Sequence, residues 1–113
     1  MISQYGIKIL TSKKNQDFLP FLRMMSKKGF YYILNYINNN ESIHYNEVLK
    51  YVLDKKIVDS GALVTIILNG LTNLGLLEKT VIDTRPLRTS YKVSKKGHLV
   101  FKNLKELEIN FSK

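Results

Sequence analysis

From Ser60 to Leu77 the chain reads SGALVTIILNGLTNLGLL, 18 residues without a charged side chain. The protein carries 18 Lys+Arg and 9 Asp+Glu in 113 residues, and charge returns at once on both sides, as DKKIVD before and EKTVIDTRPLR after. The stretch is long enough for a membrane span, but Ser60, Thr65, Asn69, Thr72, Asn73 and three glycines interrupt it and argue against one. Folded as a helix at about 100° per residue, it places Leu63, Val64, Ile67, Leu71 and Leu74 on one side. Thr65, Asn69 and Thr72 fall together on the opposite side, with Gly61 and Ala62 beside them. The pattern predicts a helix over 60–74, capped by Asp59 or Ser60 and stopped at Gly75, where a left-handed residue is wanted.

Length and composition restrict the rest. A chain of this size fits one domain, and a small core gains from dimerisation. Hydrophobic residues make up 44% of the sequence, which argues against wholesale disorder. The formal net charge of +9 favours a polyanionic partner, nucleic acid or an anionic surface. The absence of cysteine removes disulfides, thiolate metal sites and thiol switches, and suits a cytoplasmic protein. MISQYGIKILTSKK at the N-terminus has no apolar run of signal-peptide length.

In chain order, Tyr5, Ile7 and Ile9 alternate with Gly6 and Lys8, consistent with a short strand or an N-terminal arm over 1–16. Asp17 suits a helix cap, with Pro20 in the first turn and Phe18, Phe21, Leu22 and Met25 at helical spacing. The basic joint Ser26-Lys27-Lys28-Gly29 is expected to close that helix. Phe30 to Asn38 reads as a second helix with Phe30, Ile33, Leu34 and Ile37 inward and Tyr31 and Tyr36 at its flanks. After Asn38-Asn39-Asn40, Glu41 to Tyr45 is a short extended bridge. Asn46 to Leu53 is a third helix with Val48, Leu49 and Val52 inward, and Asp54 to Asp59 a charged turn. Beyond the fourth helix, Leu77, Lys79, Val81 and Asp83 alternate onto one face, as do Tyr91 and Val93 within Thr89 to Ser94. Thr84-Arg85-Pro86-Leu87-Arg88 joins these two strands into a hairpin over 76–94. Ser94 caps a last helix over 95–110, with Val100, Phe101, Leu104 and Leu107 on one face.

That order resembles the HxlR branch of winged-helix transcription regulators, close to the MarR and PadR families. Four stretches carry the likeness: LRMMSKKGFYYILNYI at 22–37, Tyr45-Asn46-Glu47-Val48-Leu49, Gly75-Leu76-Leu77-Glu78-Lys79, and Arg85-Pro86 through Tyr91-Lys92-Val93-Ser94-Lys95-Lys96-Gly97. It spans about residues 18–108, and Gly75 to Gly97 fits without a gap. Two departures stand out. The turn Asp54 to Asp59 is longer than usual, and with no cysteine the thiol-based sensing of some members cannot apply. The resemblance implies a single domain over 1–113, mainly α with a small β-hairpin (α+β). It would be a winged helix-turn-helix with extra N- and C-terminal helices for dimerisation.

Such a fold lays the polar side of its fourth helix, 60–74, in the major groove. The candidate base contacts are Ser60, Gly61, Ala62, Thr65, Asn69 and Thr72. Asn69 suits adenine, which an amide bonds at two points, and the methyl of Thr65 suits thymine. Arg85 and Arg88, in the 84–88 wing, suit a narrow and negative minor groove. Tyr45, Asn46, Lys55, Lys56 and Lys79 are candidates for phosphate, with Lys27 and Lys28 as an extension of that track.

Phe18, Leu22 and Met25 with Val100, Leu104, Leu107 and Phe111 exceed what a small monomer covers and are expected to build a homodimer. A two-fold dimer would set two recognition helices roughly 34 Å apart and read an inverted repeat, as a repressor bound to double-stranded DNA and to the nucleoid of a prokaryotic cell. Two other functions fit the same composition: an architectural, chromatin-like DNA binder with little sequence preference, and a winged helix that binds only protein. Nothing points to an enzyme, a cofactor, a metal or a membrane partner. His44 and His98 stand apart, the acids scatter around helix ends, and no glycine-rich phosphate loop is present. The seven tyrosines read as core and rim residues and name no small-molecule effector.

Overall fold

The structure is a computed structural model and describes residues 18–113. The expected arm at 1–16 and the Asp17 cap lie outside the described residues. The elements are α1 (Phe18–Met25), α2 (Phe30–Asn38), β1 (Ile43–His44), α3 (Tyr45–Asp54), α4 (Gly61–Asn73), β2 (Leu77–Ile82), β3 (Arg88–Val93) and α5 (Lys95–Ser112). The three strands form one antiparallel sheet in the order β1-β3-β2. Ile43 pairs with Tyr91, and Leu77 with Val93, so the buried apolar strand positions gather where the sheet meets the helices.

Helical spacing explains the core. Phe30, Ile33, Leu34 and Ile37 of α2, Val48 and Val52 of α3, and Val64, Ile67, Leu68 and Leu71 of α4 converge on Leu76, Tyr91 and Val93. Each fully buried aliphatic side chain of this kind contributes about 1.5–3 kcal/mol relative to exposure. Phe101 extends the core into α5 and stacks on Tyr31, whose ring centroid lies 5.7 Å away. Burial raises the Tyr31 phenol above its ordinary pKa, and it donates a 3.0 Å hydrogen bond to the Glu108 carboxylate further along α5.

Several local expectations change. Gly29 does not close α1; it sits at φ 89° as the residue before α2. The turn after α3 is not uniformly polar, because Val58 is buried and Ile57 half-buried beneath it. Lys56 takes the left-handed conformation at φ 56°, while the Ile57 amide donates to Val52 O, which closes α3 from behind. Asp59 is paired with Lys28 at 3.4 Å, an exposed contact across the joint between the helices. On β2 only Leu77 is buried; Lys79 and Val81 are exposed and Asp83 lies beyond the strand, because β2 is the outer strand and its far half leaves the core. Arg88 is the first residue of β3 rather than part of the loop.

The end of α4 and the start of α5 meet in one hydrogen-bonded joint. Gly75, at φ 78°, turns the chain out of α4. Its amide donates to Thr72 O at 3.0 Å and that of Leu76 to Leu71 O at 2.9 Å, which satisfies two of the helix's last carbonyls. Ser94 then closes the joint from the other side. Its amide donates to Leu76 O at 3.0 Å and its hydroxyl to Gly75 O at 2.5 Å, while the same hydroxyl accepts from the Gly97 amide at 3.0 Å. Lys96 Nζ donates to Leu74 O at 3.1 Å. Gly97 has no room for a side chain, since a Cβ there would run into the Leu76 carbonyl and Val93 Cγ1.

These two glycines should respond differently to substitution by alanine. A Cβ at Gly75 would meet only the Lys96 side chain, in ordinary contact, so Gly75→Ala should cost only the left-handed strain of about 1–2 kcal/mol. Gly97→Ala must displace backbone and should cost about 3 kcal/mol or more. Urea denaturation of the two variants beside the parent chain checks the order.

Candidate nucleic-acid interface

On α4 the exposed residues are Ala62, Thr65, Ile66, Asn69 and Asn73. The outward face is therefore turned by about 40° from the one expected, towards Ile66 and Asn73. The cause is Leu68. It is fully buried, whereas Leu63 and Leu74, expected inward, are only half-buried. Ser60 precedes the helix in extended conformation, but its hydroxyl makes no capping hydrogen bond. Gly61 and Thr72 lie at one margin of the face, and the Thr72 hydroxyl donates to Leu68 O at 2.8 Å. Asn69 is exposed near the middle. Sequence periodicity missed Ile66 and Asn73. The first looks like a core residue, and the second like part of the helix end.

The N-terminus of α3 is tied to this face. The hydroxyls of Tyr45 and Thr65 are 2.8 Å apart, and the Thr65 hydroxyl also reaches Gly61 O at 3.2 Å. Glu47 accepts a hydrogen bond from the His44 amide at 3.0 Å, which fixes the first turn of α3. Tyr91 lies behind Tyr45; burial first, then the neighbouring Tyr45, push its phenol above the ordinary tyrosine pKa.

Beside Tyr45 and Asn46 opens a cleft of about 640 Å³, walled on the other side by Thr84 to Thr89. Arg85 and Arg88 thus share one cavity lining with Tyr45 and Asn46. The wing is shaped by the Thr84 hydroxyl, which donates to Pro86 O at 2.8 Å. Lys79 pairs in register with Tyr91, so it stands on the helix-facing side of the sheet, exposed because β2 is an edge. Lys55 and Lys56 are exposed at the opposite end of α3 from Tyr45, about 15 Å along the helix, and do not share the cleft.

The candidate dimer residues gather elsewhere. Phe18, Leu22 and Met25 of α1 and Val100, Leu104 and Leu107 of α5 line a single apolar groove of about 400 Å³, together with Leu74 and Leu76 from the joint. Phe111 is not in its lining; it continues the stripe at the far end of α5 and is 88% exposed. Among the described residues no group of three or more His, Cys, Asp or Glu is placed to hold a metal ion, and no helix is long and apolar enough to cross a membrane.

No protein-family model matches the chain, and no curated protein does so either. Solved structures do. A PadR-like transcription factor from Bacteroides fragilis superposes with a TM-score of 0.69 at 18% identity, over 80% of this chain and 91% of that one. The transcriptional regulator YodB of B. subtilis, in its reduced form, gives 0.65 at 14% identity over 88% and 89%. MepR of S. aureus, solved as a complex with DNA, gives 0.61 at 15% identity over 96% and 86%. The chain therefore has the α+β winged-helix fold of MarR- and PadR-type regulators, the group to which its sequence motifs point.

Proposed function

We propose that the protein is a DNA-binding transcription regulator that acts as a homodimer. The observation that carries this reading is the continuity of one surface. The exposed face of α4 joins the N-terminus of α3 through the Tyr45–Thr65 contact, and α3 joins the arginine-bearing wing across a shared cleft. A duplex laid on this surface would meet uncharged groups in the major groove and arginines in the adjoining minor groove. Ser60, Gly61, Ala62, Thr65, Asn69 and Thr72 remain the base-contact set proposed from sequence, to which the exposed face adds Ile66 and Asn73. Tyr45, Asn46, Lys55, Lys56 and Lys79 would supply phosphate contacts, which add affinity and salt sensitivity without sequence information. The fold found in MepR bound to DNA supports the same reading.

The apolar groove between α1 and α5 supports the dimer. Phe18 and Leu107 are each more than half exposed, and Phe111 nearly wholly, although all are residues that folding ordinarily buries. A two-fold pairing through this groove would present two copies of α4 to an inverted repeat. Repression is the simplest output of such a protein, since occupancy of an operator alone can exclude polymerase.

Competition between a selected duplex and random DNA tests the regulator against an architectural binder. A large affinity ratio is expected, and near-equal affinities would favour the architectural reading. The Arg85→Ala/Arg88→Ala double variant should bind the selected duplex roughly tenfold more weakly and with a shallower salt dependence. Unchanged affinity in a fluorescence-anisotropy titration would remove the wing from the interface.

Leu104→Glu places a charge in the middle of the groove. It should shift the protein from dimer to monomer in sedimentation velocity and weaken binding to a two-half-site duplex far more than to a single half-site. A monomeric parent chain would refute the dimer.

A further inference from the structure

We infer that α4 reads a half-site of A·T pairs by touching thymine methyl groups, with Ile66 as the residue that determines this specificity. The inference rests on the proposed DNA-binding function and goes further, to the chemical class of sequence recognised.

Ile66 is 49% exposed at the edge of the outward face beyond Asn73, on the same stripe as Ala62, Asn69 and Asn73. A single exposed isoleucine is unremarkable by itself. Its surroundings give it meaning. The outward face of α3 carries Glu47 and Lys50, and that of α5 carries Lys102, Lys105 and Glu106, whereas that of α4 carries no ionisable group. Guanine is most often read through O6 and N7 by arginine or lysine, and neither is present on this helix.

What the face does offer divides into two chemistries. Ala62, Thr65 and Ile66 present methyl groups. For Thr65 the methyl is the uncommitted end, because its hydroxyl is engaged with Gly61 O and with Tyr45. Asn69 and Asn73 present amides, which match the N6 and N7 of adenine. The C5-methyl of thymine is the one apolar group that the four bases display in the major groove. Methyl-bearing residues and amides on one stripe therefore complement thymine and adenine. Ile66 is the largest apolar member, so it has the most surface to bury against a thymine methyl.

The test uses the full chain and begins with selection of bound duplexes from random DNA. The recovered site is then resynthesised with deoxyuridine in place of thymidine, which removes only the C5-methyl. The wing cannot confuse the result, since that methyl lies in the major groove and the wing arginines are assigned to the minor groove. Removal of one contacted methyl should weaken binding about fourfold. Ile66→Ala should weaken binding to the thymidine site by a similar factor and abolish the thymidine–deoxyuridine difference at one position of each half-site. Its far-ultraviolet circular dichroism and thermal melt, measured alongside, should match those of the parent, which shows that the variant is folded.

G·C pairs at the helix-facing positions would overturn the inference while leaving the DNA-binding function intact. So would equal affinity of the parent for the two sites, or an undiminished difference in Ile66→Ala. Failure to bind any duplex would overturn both.

Discussion

The hydrogen bonds between the end of α4 and the start of α5 are the constraint on which the rest of the molecule turns. A helix ends with unpaired carbonyls and begins with unpaired amides, and each set must find partners. Here the last carbonyls around Leu74, Gly75 and Leu76 take up the Ser94 amide, the Ser94 hydroxyl and the Lys96 ammonium. The negative end of the α4 dipole thereby meets the positive end of α5 and a lysine, which is favourable on both sides. Gly97 allows the close approach, because any side chain there would strike the Leu76 carbonyl. The direction of α5 is therefore fixed relative to α4. In a dimer formed through α1 and α5, the separation of the two α4 helices would follow from this one joint.

The lack of charge on α4 is easier to understand once its neighbours are placed. The helix is packed by α1, α3 and β2, so most of its circumference lies in or next to the core. Gly70 lies directly under the Met24 side chain, whose end would have to swing aside for a larger residue. Only a narrow strip faces outward. Electrostatic attraction reaches about 8 Å at physiological salt, so cations on flanking elements act on a polyanion without standing on the strip itself. Short-range discrimination by methyl and amide groups needs contact and no charge. In the proposed regulator the two tasks would be separated, with Arg85, Arg88 and Lys79 on the hairpin and uncharged groups on α4.

Most of the fold was legible in the sequence. The bounds of α2 follow from Phe30, Ile33, Leu34 and Ile37, and the Gly75 stop and Ser94 cap mark both sides of the joint, because each is a local signal with a local cause. The rotation of α4 was not legible. An amphipathic helix announces its inner face through contrast, and between Ala62 and Leu71 almost every residue is apolar or small. Leu68 and Leu63 are then equivalent by composition, and only tertiary packing around the helix selects Leu68 for the core. The exposure of Ile66 follows from the same choice. Val58 was hidden for a different reason: its neighbours Lys55, Lys56 and Asp59 make the turn read as solvated, while Ile57 and Val58 fold back under it. The candidate site was legible by element and only partly by residue. Arg85 and Asn69 stand exposed where expected and Arg88 is exposed at the start of β3, whereas the Thr72 and Thr65 hydroxyls are already engaged within the protein.

The length of α5 bears on how the chain would associate. The helix runs for 18 residues, yet its buried positions, Gly97 and Phe101, lie in its first two turns. Beyond Leu104 every residue is exposed, and the described ties to the rest of the chain there are the Tyr31–Glu108 hydrogen bond and the placement of Lys105 over the Tyr31 and Phe101 rings. Those contacts hold one side of the helix against α2. The other side carries Val100, Leu104, Leu107 and Phe111 at intervals of four, three and four, a stripe that can be covered without moving the contacts on the first side. Helices in proteins draw most of their stability from packing of an apolar face, so burial of that stripe by a second copy would stabilise the helix as well as the pair. Order in the second half of α5 would then depend on protein concentration.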